Sequence, residues 1–557
     1  MKQYKFQTKI EDTLANLCLT SSEKYKDRPA FAMLSEGKIS GQVSYSQLGK
    51  RARQTGAALR QLGVETGGRV LLLSENSPEW AISYFGIALA GAVSVPLLTG
   101  FSSEQIQNIA NHSEISAVCL SRSMADKFTV SSDIDEPNSF SEIPFIYIDS
   151  MTETENACME ITVSVNGQEQ RLQISSDVNL PLGAKTNDLA TIIYTSGTQG
   201  NSKGVMLSNK NLLSSALSSL YFQKVLPRDR LLSVLPLAHS YECSIGLILP
   251  VICGAGITYI DRPPSPSVLL PALKLLRPTM MITVPLLIEK IYNNAIAPKL
   301  RSSKLYKCPL TRSLAIWFAG RKLYSSLGGK IRFFGIGGAP LSKEVENFLS
   351  RARFPYSIGY GLTEAAPLVS GNPPLHNGII RGTKAPSGVS IRIVKCSASS
   401  GQGIGEIQVK GPNVMMGYYN DSEKTAEVLT PDGWLRTGDL GRIDKKGRLH
   451  IRGRLKALIL SASGENIYPE EIEGLLGTSA LIEDAIVYSG EKGELVALVR
   501  LSEAAKAVTG AVEHVLEDLR KWANKKLAVF SKLSRIEVKR EPFEKTPTMK
   551  IKRHLYI

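Results

Sequence analysis

Residues 189–207 read Leu189-Ala-Thr-Ile-Ile-Tyr-Thr-Ser-Gly-Thr-Gln-Gly-Asn-Ser-Lys-Gly-Val-Met-Leu207. The apolar run 189–193 predicts a buried strand, and Val205-Met-Leu207 predicts a second. The turn between them carries Gly197, Gly200 and Gly204, the hydroxyls of Thr195, Ser196 and Thr198, and the ammonium of Lys203. Glycine lets a backbone approach a ligand closely. Amide and hydroxyl donors beside a fixed cation suit phosphate oxygens. A polar hairpin turn has the same composition, so the string alone leaves both readings open.

Two common phosphate motifs do not fit. A Walker A loop needs Gly-x4-Gly-Lys-Ser/Thr and a following helix, whereas Lys203 is followed by Gly204 and Val205 in a strand-like pattern. Gly335-Ile-Gly-Gly-Ala-Pro340 begins like a dinucleotide fingerprint but ends in proline. The loop at 194–204 resembles the phosphate loop of the adenylate-forming (AMP-binding) enzymes: acyl-CoA synthetases, luciferases and peptide-synthetase adenylation domains. Gln199 and Ser202 stand where that family usually has threonine and proline.

Moving outward from the loop, further segments match in the family's order, and the resemblance covers residues 30–552. Leu235-Pro-Leu-Ala-His239 matches a segment beside the acyl pocket, so His239 is expected at the carboxylate, the phosphates or the pocket wall; a satisfied core histidine competes. The turn with Gly337, Gly338, Ala339 and Pro340 follows a strand, where parallel sheets bind ligands, and the resemblance lays it against adenine. In Ser357-Ile-Gly-Tyr-Gly-Leu-Thr-Glu364, Tyr360 can stack on a purine, with Gly361 beside it. Thr363 can donate to the α-phosphate, and Glu364 is a hard oxygen ligand for Mg2+; Thr195 is expected to share the metal and the catalytic role.

The resemblance further implies that Asp439 accepts from two ribose hydroxyls and that Arg454, following the strand 448–451, contacts ribose or phosphate. Lys456 matches the hinge, although Ala457 stands where the family is usually acidic. Gly464, Glu465 and Asn466 match the segment that swings in to bind coenzyme A, ahead of a helix start at Pro469. Lys550 takes the place of the adenylation lysine in the tail Thr546-Pro-Thr-Met-Lys-Ile551. Met549 replaces a usual glycine, which strains the backbone if φ there is positive. Lys552 competes as a solvated basic residue.

Length and composition agree with such an enzyme. A chain of 557 residues, 43% hydrophobic and 21% charged, is long enough for several domains with large cores. Seven cysteines without a CxxC predict buried free thiols in a reducing compartment. The net charge of +15 favours anionic partners: nucleotides, coenzyme A, an anionic membrane surface or an acidic acyl carrier protein. No basic run interleaved with aromatics argues for nucleic acid. The N-terminus has a basic start without an apolar core, so it is not read as a signal peptide. Residues 243–260 are uncharged, but Pro250 and the glycines predict a buried helix and a strand instead of a membrane span.

Along residues 11–95, helix and strand alternate, which predicts a largely parallel sheet with helices on its faces. Residues 121–182 are more polar and less regular and are expected to form a variable surface segment. The expected architecture is therefore α/β. A large N-terminal domain of several subdomains (1–453) has mostly parallel sheets flanked by helices, a hinge follows at 454–456, and a small mobile α+β domain occupies 457–557.

The expected function, closest to the bacterial long-chain fatty acid:CoA ligases, is activation of a fatty acid by ATP to acyl-AMP, then transfer to coenzyme A, with Mg2+ as cofactor. The expected location is the cytoplasm or the inner face of the membrane. An acyl carrier protein as acceptor, a non-catalytic acyl or nucleotide binding role, and a basic membrane-surface module are the competing expectations.

Overall fold

The computed structural model describes residues 12–128, 140, 142–154, 158–175, 178, 180, 183–195, 202–374, 382–396, 403–460, 466–479, 481–490, 493–502, 505, 512–546 and 551–557. The helix–strand alternation of the first hundred residues has local causes. Ser44 caps the helix Tyr45–Gln61 in a reciprocal box with Gln47. Ser77 caps Pro78–Leu89, with Pro78 at its first position. These two helices pack at Gly56 and Gly86. A methyl group on Gly86 would lie 2.7 Å from Thr55 Cβ, so only glycine permits the approach.

Two large sheets result. In the first, Leu189–Thr195, Val93–Pro96, Arg69–Leu73, Ile115–Leu120 and Phe145–Glu153 run parallel. In the second, Pro29–Ser35, Gly256–Ile260, Arg230–Leu232, Met280–Thr283, Phe333–Ile336 and Tyr356–Gly361 do the same. Each sheet is closed at its edges by antiparallel strands, a common arrangement for large α/β sheets. A continuous apolar core joins the helices Tyr45–Gln61 and Pro78–Leu89 to both sheets. A four-stranded antiparallel sheet, from Ser390–Val394 to Leu449–Arg454, follows. Beyond it, Ile482–Ser489, Leu495–Leu501 and Arg535–Val538 form a three-stranded sheet with its own apolar cluster, packed by the helices Pro469–Leu476 and Val512–Asn524. The α/β expectation and the α+β character of the C-terminal part both hold.

Three expectations need correction. Residues 121–182 are not simply a surface segment: Phe145–Glu153, Met159–Val165 and Gln168–Ile174 form a meander that widens the first sheet. Their outer positions face water, so the polar alternation hid them. The thiols are not uniformly buried: Cys18, Cys119 and Cys243 are, and burial pushes each up to about 12, but Cys308 is exposed. The strand expected at 448–451 continues as Leu449–Arg454, so Arg454 ends a strand instead of following one. The helix and strand expected in 243–260 are present, and no helix among the described residues is long and apolar enough to cross a membrane.

Candidate active site

Thr195 and Lys203 end and begin antiparallel neighbours, Leu189–Thr195 and Lys203–Ser208, and are register partners. The expected hairpin is therefore real. Its tip, with Ser196, Gly197, Thr198 and Gly200, lies outside the described residues. The second strand of this hairpin pairs in turn with Gly417–Tyr418, Val205 opposite Tyr418. That pairing places the Tyr418 ring 5.0 Å from Lys203 Nζ. The Tyr418 hydroxyl donates to Glu364 Oε1 at 3.0 Å. Burial first, and the Glu364 carboxylate second, push this phenol far above its ordinary range, so it remains a donor. One tyrosine thus joins the hairpin cation to the Tyr360–Glu364 segment.

The strand Tyr356–Gly361 ends where the chain turns sharply, and Thr363–Ala365 forms a short 3-10 turn. Gly361 is required there, because a methyl group would collide with the Pro367 carbonyl oxygen. The turn sets Thr363 Oγ1 3.3 Å from Ser240 Oγ, next to His239. His239 is half-buried, and its Nδ1 accepts from the Tyr241 backbone N–H at 3.2 Å, which leaves the proton of the neutral ring on Nε2. The Tyr241 ring lies against Gly337, where an added methyl would sit 3.2 Å from it. Gly338, at φ 84°, turns the chain away from the strand Phe333–Ile336 towards Ala339 and Pro340.

The Tyr360 hydroxyl is engaged. It donates to Asp439 Oδ2 at 2.6 Å, and burial together with that carboxylate pushes the phenol well above its usual range. Asp439 is 9% exposed and pairs in register with Arg454, whose Nε lies 3.5 Å from Oδ1. Asp439 therefore touches both other residues expected at the same nucleotide, Tyr360 from 79 residues away and Arg454 from the neighbouring strand.

Lys456 sits exposed in the 3-10 turn Leu455–Ala457. Asn466 lies on a short strand paired with Leu460; Gly464, Glu465 and Lys550 lie outside the described residues.

Three contributors escaped the sequence reading. Tyr418 carries no local signal except its place in Gly417-Tyr-Tyr419. His112 Nδ1 lies 2.7 Å from the Tyr194 hydroxyl at the loop's entrance. Glu242 is 1% exposed, with Oε1 accepting from Ser233 Oγ at 2.6 Å and Oε2 unpartnered. Burial raises its carboxyl to about 8. The unfolded chain loses this proton by about pH 5, while the folded protein keeps it to about pH 8. Stability contributed by this group therefore falls as pH rises through that window. Glu242→Gln has no proton to lose, so its melting temperature relative to the parent should climb between about pH 5 and about pH 8. Parallel melting curves at the two pH values would show that the folded carboxyl is already ionised.

No cluster of three or more His, Cys, Asp or Glu able to hold a metal occurs among the described residues. A single carboxylate, Glu364, joined through Tyr418 to the strand that bears Lys203, instead fits Mg2+, which takes one or two carboxylates and fills its shell with phosphate oxygens and water.

A family model described as "AMP-binding enzyme" matches residues 19–419. Long-chain-fatty-acid–CoA ligase 5 of Rattus norvegicus is 31% identical, across 92% of this chain and 82% of its own length. Long-chain-fatty-acid–CoA ligase FadD15 of Mycobacterium bovis is 30% identical, across 83% and 78%. The crystal structure of ATP-bound MatB from Rhodopseudomonas palustris superposes with a TM-score of 0.74 at 24% identity, covering 97% of this chain and 98% of that one. The last similarity concerns the fold.

Proposed function

The chain belongs to the AMP-binding enzyme family, and from that premise we propose that it is an AMP-forming acid–thiol ligase that activates long-chain fatty acids and transfers them to coenzyme A. The observation that carries this reading is the contact of Tyr360, Asp439 and Arg454 beside the Lys203–Tyr418–Glu364 group. The segment Tyr360–Glu364 links the two groups, which supports a reading in which Asp439 takes the ribose while Lys203 and Glu364 serve the phosphates and their metal.

In the first step the fatty carboxylate attacks the α-phosphorus of ATP and pyrophosphate leaves. The hairpin residues Thr195, Ser196, Gly197, Thr198, Gly200 and Lys203 bind the phosphates, while Gly337 to Pro340 with Tyr360 and Gly361 receive adenine. Asp439 exchanges its Tyr360 and Arg454 partners for ribose hydroxyls. Thr363 donates to the α-phosphate, His239 orients the carboxylate, and Lys550 stabilises the charge that develops on phosphorus oxygens. Glu364 and Thr195 would hold Mg2+, which would supply further positive charge to the phosphates. In the second step the coenzyme A thiolate attacks the acyl carbonyl and AMP leaves. For this the C-terminal part turns at Lys456, withdrawing Lys550 and bringing in Gly464, Glu465 and Asn466. Peripheral association with an anionic membrane belongs to the same reading.

The test is pyrophosphate release from ATP with a series of fatty acids of increasing length, followed by thioester formation with coenzyme A and, in parallel, with acyl carrier protein. Release that is strongest with long chains, followed by acyl-CoA formation, is expected. No release with any acid would overturn the proposal, and thioester formation on the carrier protein alone would overturn its acceptor.

Glu364→Gln is expected to shift the magnesium titration of adenylation to higher concentration more than it weakens ATP binding. The amide keeps the shape and the Tyr418 contact but loses the charge the cation needs. An unchanged titration would remove Glu364 from the metal site.

A further inference from the structure

The positive charge of this chain is concentrated. Residues 290–343 contain eleven Lys and Arg and no Asp or Glu, whereas the whole chain carries 66 basic and 51 acidic residues. Most of the +15 surplus therefore comes from about a tenth of the length. Arg301 and Arg332 of this stretch are engaged with Glu344 and Asp229. Lys304, Lys307, Arg312, Arg321 and Lys322 are all exposed on the helices Lys304–Lys307 and Arg312–Ser326 and the turn between them.

The same two helices and the turn between them expose large apolar side chains. Leu310 is 93% exposed and Phe318 55%, far more than soluble packing explains, and Leu305, Leu314 and Trp317 are exposed beside them. The helix Arg312–Ser326 is apolar on both sides. Ala315, Ile316, Gly320 and Leu323 face the core, where Gly320 abuts Ala352 so closely that a methyl could not fit. Leu314, Trp317, Phe318 and Arg321, at spacings of three, four and seven, form the outward face. Trp317 meets the Phe318 ring edge-on at 5.1 Å, and the Arg321 guanidinium lies 5.6 Å from the Trp317 ring. A helix that is apolar all round is normally buried; this one is covered on one side only.

We propose that this basic, aromatic face docks peripherally on an anionic phospholipid surface, with Leu310, Trp317 and Phe318 entering the acyl boundary and the surrounding Lys and Arg meeting phosphate headgroups. Trp belongs at such interfaces, and long basic side chains can lay their stems on apolar surface while their heads reach the phosphates. A protein partner fits less well, since the buried centres of protein interfaces are poor in lysine. A second copy docking through the same face would bring two uncompensated basic surfaces together.

The full chain is tested by flotation with vesicles of mixed phosphatidylcholine and phosphatidylglycerol against phosphatidylcholine alone, at low and high salt. Binding is expected only to the anionic vesicles, and weaker at high salt. The combined Leu310→Ser, Trp317→Ser, Phe318→Ser variant and the paired Lys304→Glu, Lys307→Glu variant should each reduce vesicle partition at least ~tenfold. Pyrophosphate release with a short, water-soluble acid should be unchanged in both, which separates this proposal from the enzymatic one and reports folding. Trp317→Phe, a mild change, should lose most of the tryptophan quenching produced by brominated-lipid vesicles. Undiminished flotation in both multiple variants, or unchanged quenching, would overturn the proposal. So would a parent dimer that the serine variant splits while still floating, which would assign the face to self-association.

Discussion

Lys550→Ala is expected to slow acyl-adenylate formation about a hundredfold or more, the loss that follows removal of one preorganised charge at a transition state. The thioester step from preformed acyl-AMP should be largely spared, because in the proposed mechanism Lys550 withdraws before that step. The neighbouring basic residues sharpen the test. Lys545 is paired with Asp484, Lys552 with Glu544, and Arg553 with Glu470 and Glu473. Lys545 and Ile551 also bridge as antiparallel partners. These flanking charges are engaged within the C-terminal part and cannot readily substitute. Lys552→Ala should therefore leave adenylation within about twofold, as expected of an exposed ion pair. Single-turnover measurement of acyl-AMP in both variants decides the matter. Normal adenylation in Lys550→Ala would show that the tail, with Met549 before the lysine, has given up the catalytic role.

Lys456→Pro should leave adenylation nearly normal and obstruct the thioester step. Lys550 and the segment 464–466 are separated by more than eighty residues of the C-terminal part, yet in the proposed mechanism both act at one acyl-phosphate centre. They cannot occupy it together, so the part carrying them must turn. The turn needs large dihedral changes at few residues, and Leu455–Ala457 is the short link between Leu449–Arg454 and the next strand, Ile459–Leu460. Contacts beside it, such as Arg452 to Glu471 at 3.2 Å, hold the present arrangement.

A 3-10 turn has φ near −60°, which proline accepts. A state with another φ at 456 would be penalised by about 3 kcal/mol or more, roughly a hundredfold in rate. Lys456→Ala should be nearly silent, because the side chain is exposed. Following acyl-AMP formation and its consumption by coenzyme A separates the outcomes. Equal loss of both steps would mean the link has unfolded, and loss of neither would place the turning point elsewhere.

The elements that position the site were legible wherever their cause is local. Ser44 with Gln47, and Pro78 after Ser77, announce their helices by capping chemistry. The runs Arg69–Leu73 and Leu189–Thr195 announce buried parallel strands by unbroken apolarity. Where that pattern is diluted, reading failed. Gln168–Ile174 has one buried residue in seven and reads locally as surface.

By itself, the sequence determined the fold class, the strands that flank the glycine-rich turn and the Tyr360–Glu364 segment, and which residue types could serve a nucleotide. Backbone propensity, turn chemistry and motif spacing act over a few residues, and those features are local. Tertiary structure alone decided which of them touch. Tyr418 joins Lys203 to Glu364 because Gly417–Tyr418 adds to the edge of the hairpin, a pairing across more than two hundred residues. Asp439 receives Tyr360 because two sheets meet there, and Arg454 because it is the register partner on the neighbouring strand. The outward face of Arg312–Ser326 is unpartnered because the core has room for only one side of a helix that is apolar on both. Periodicity records that a face is apolar; only packing decides whether anything covers it.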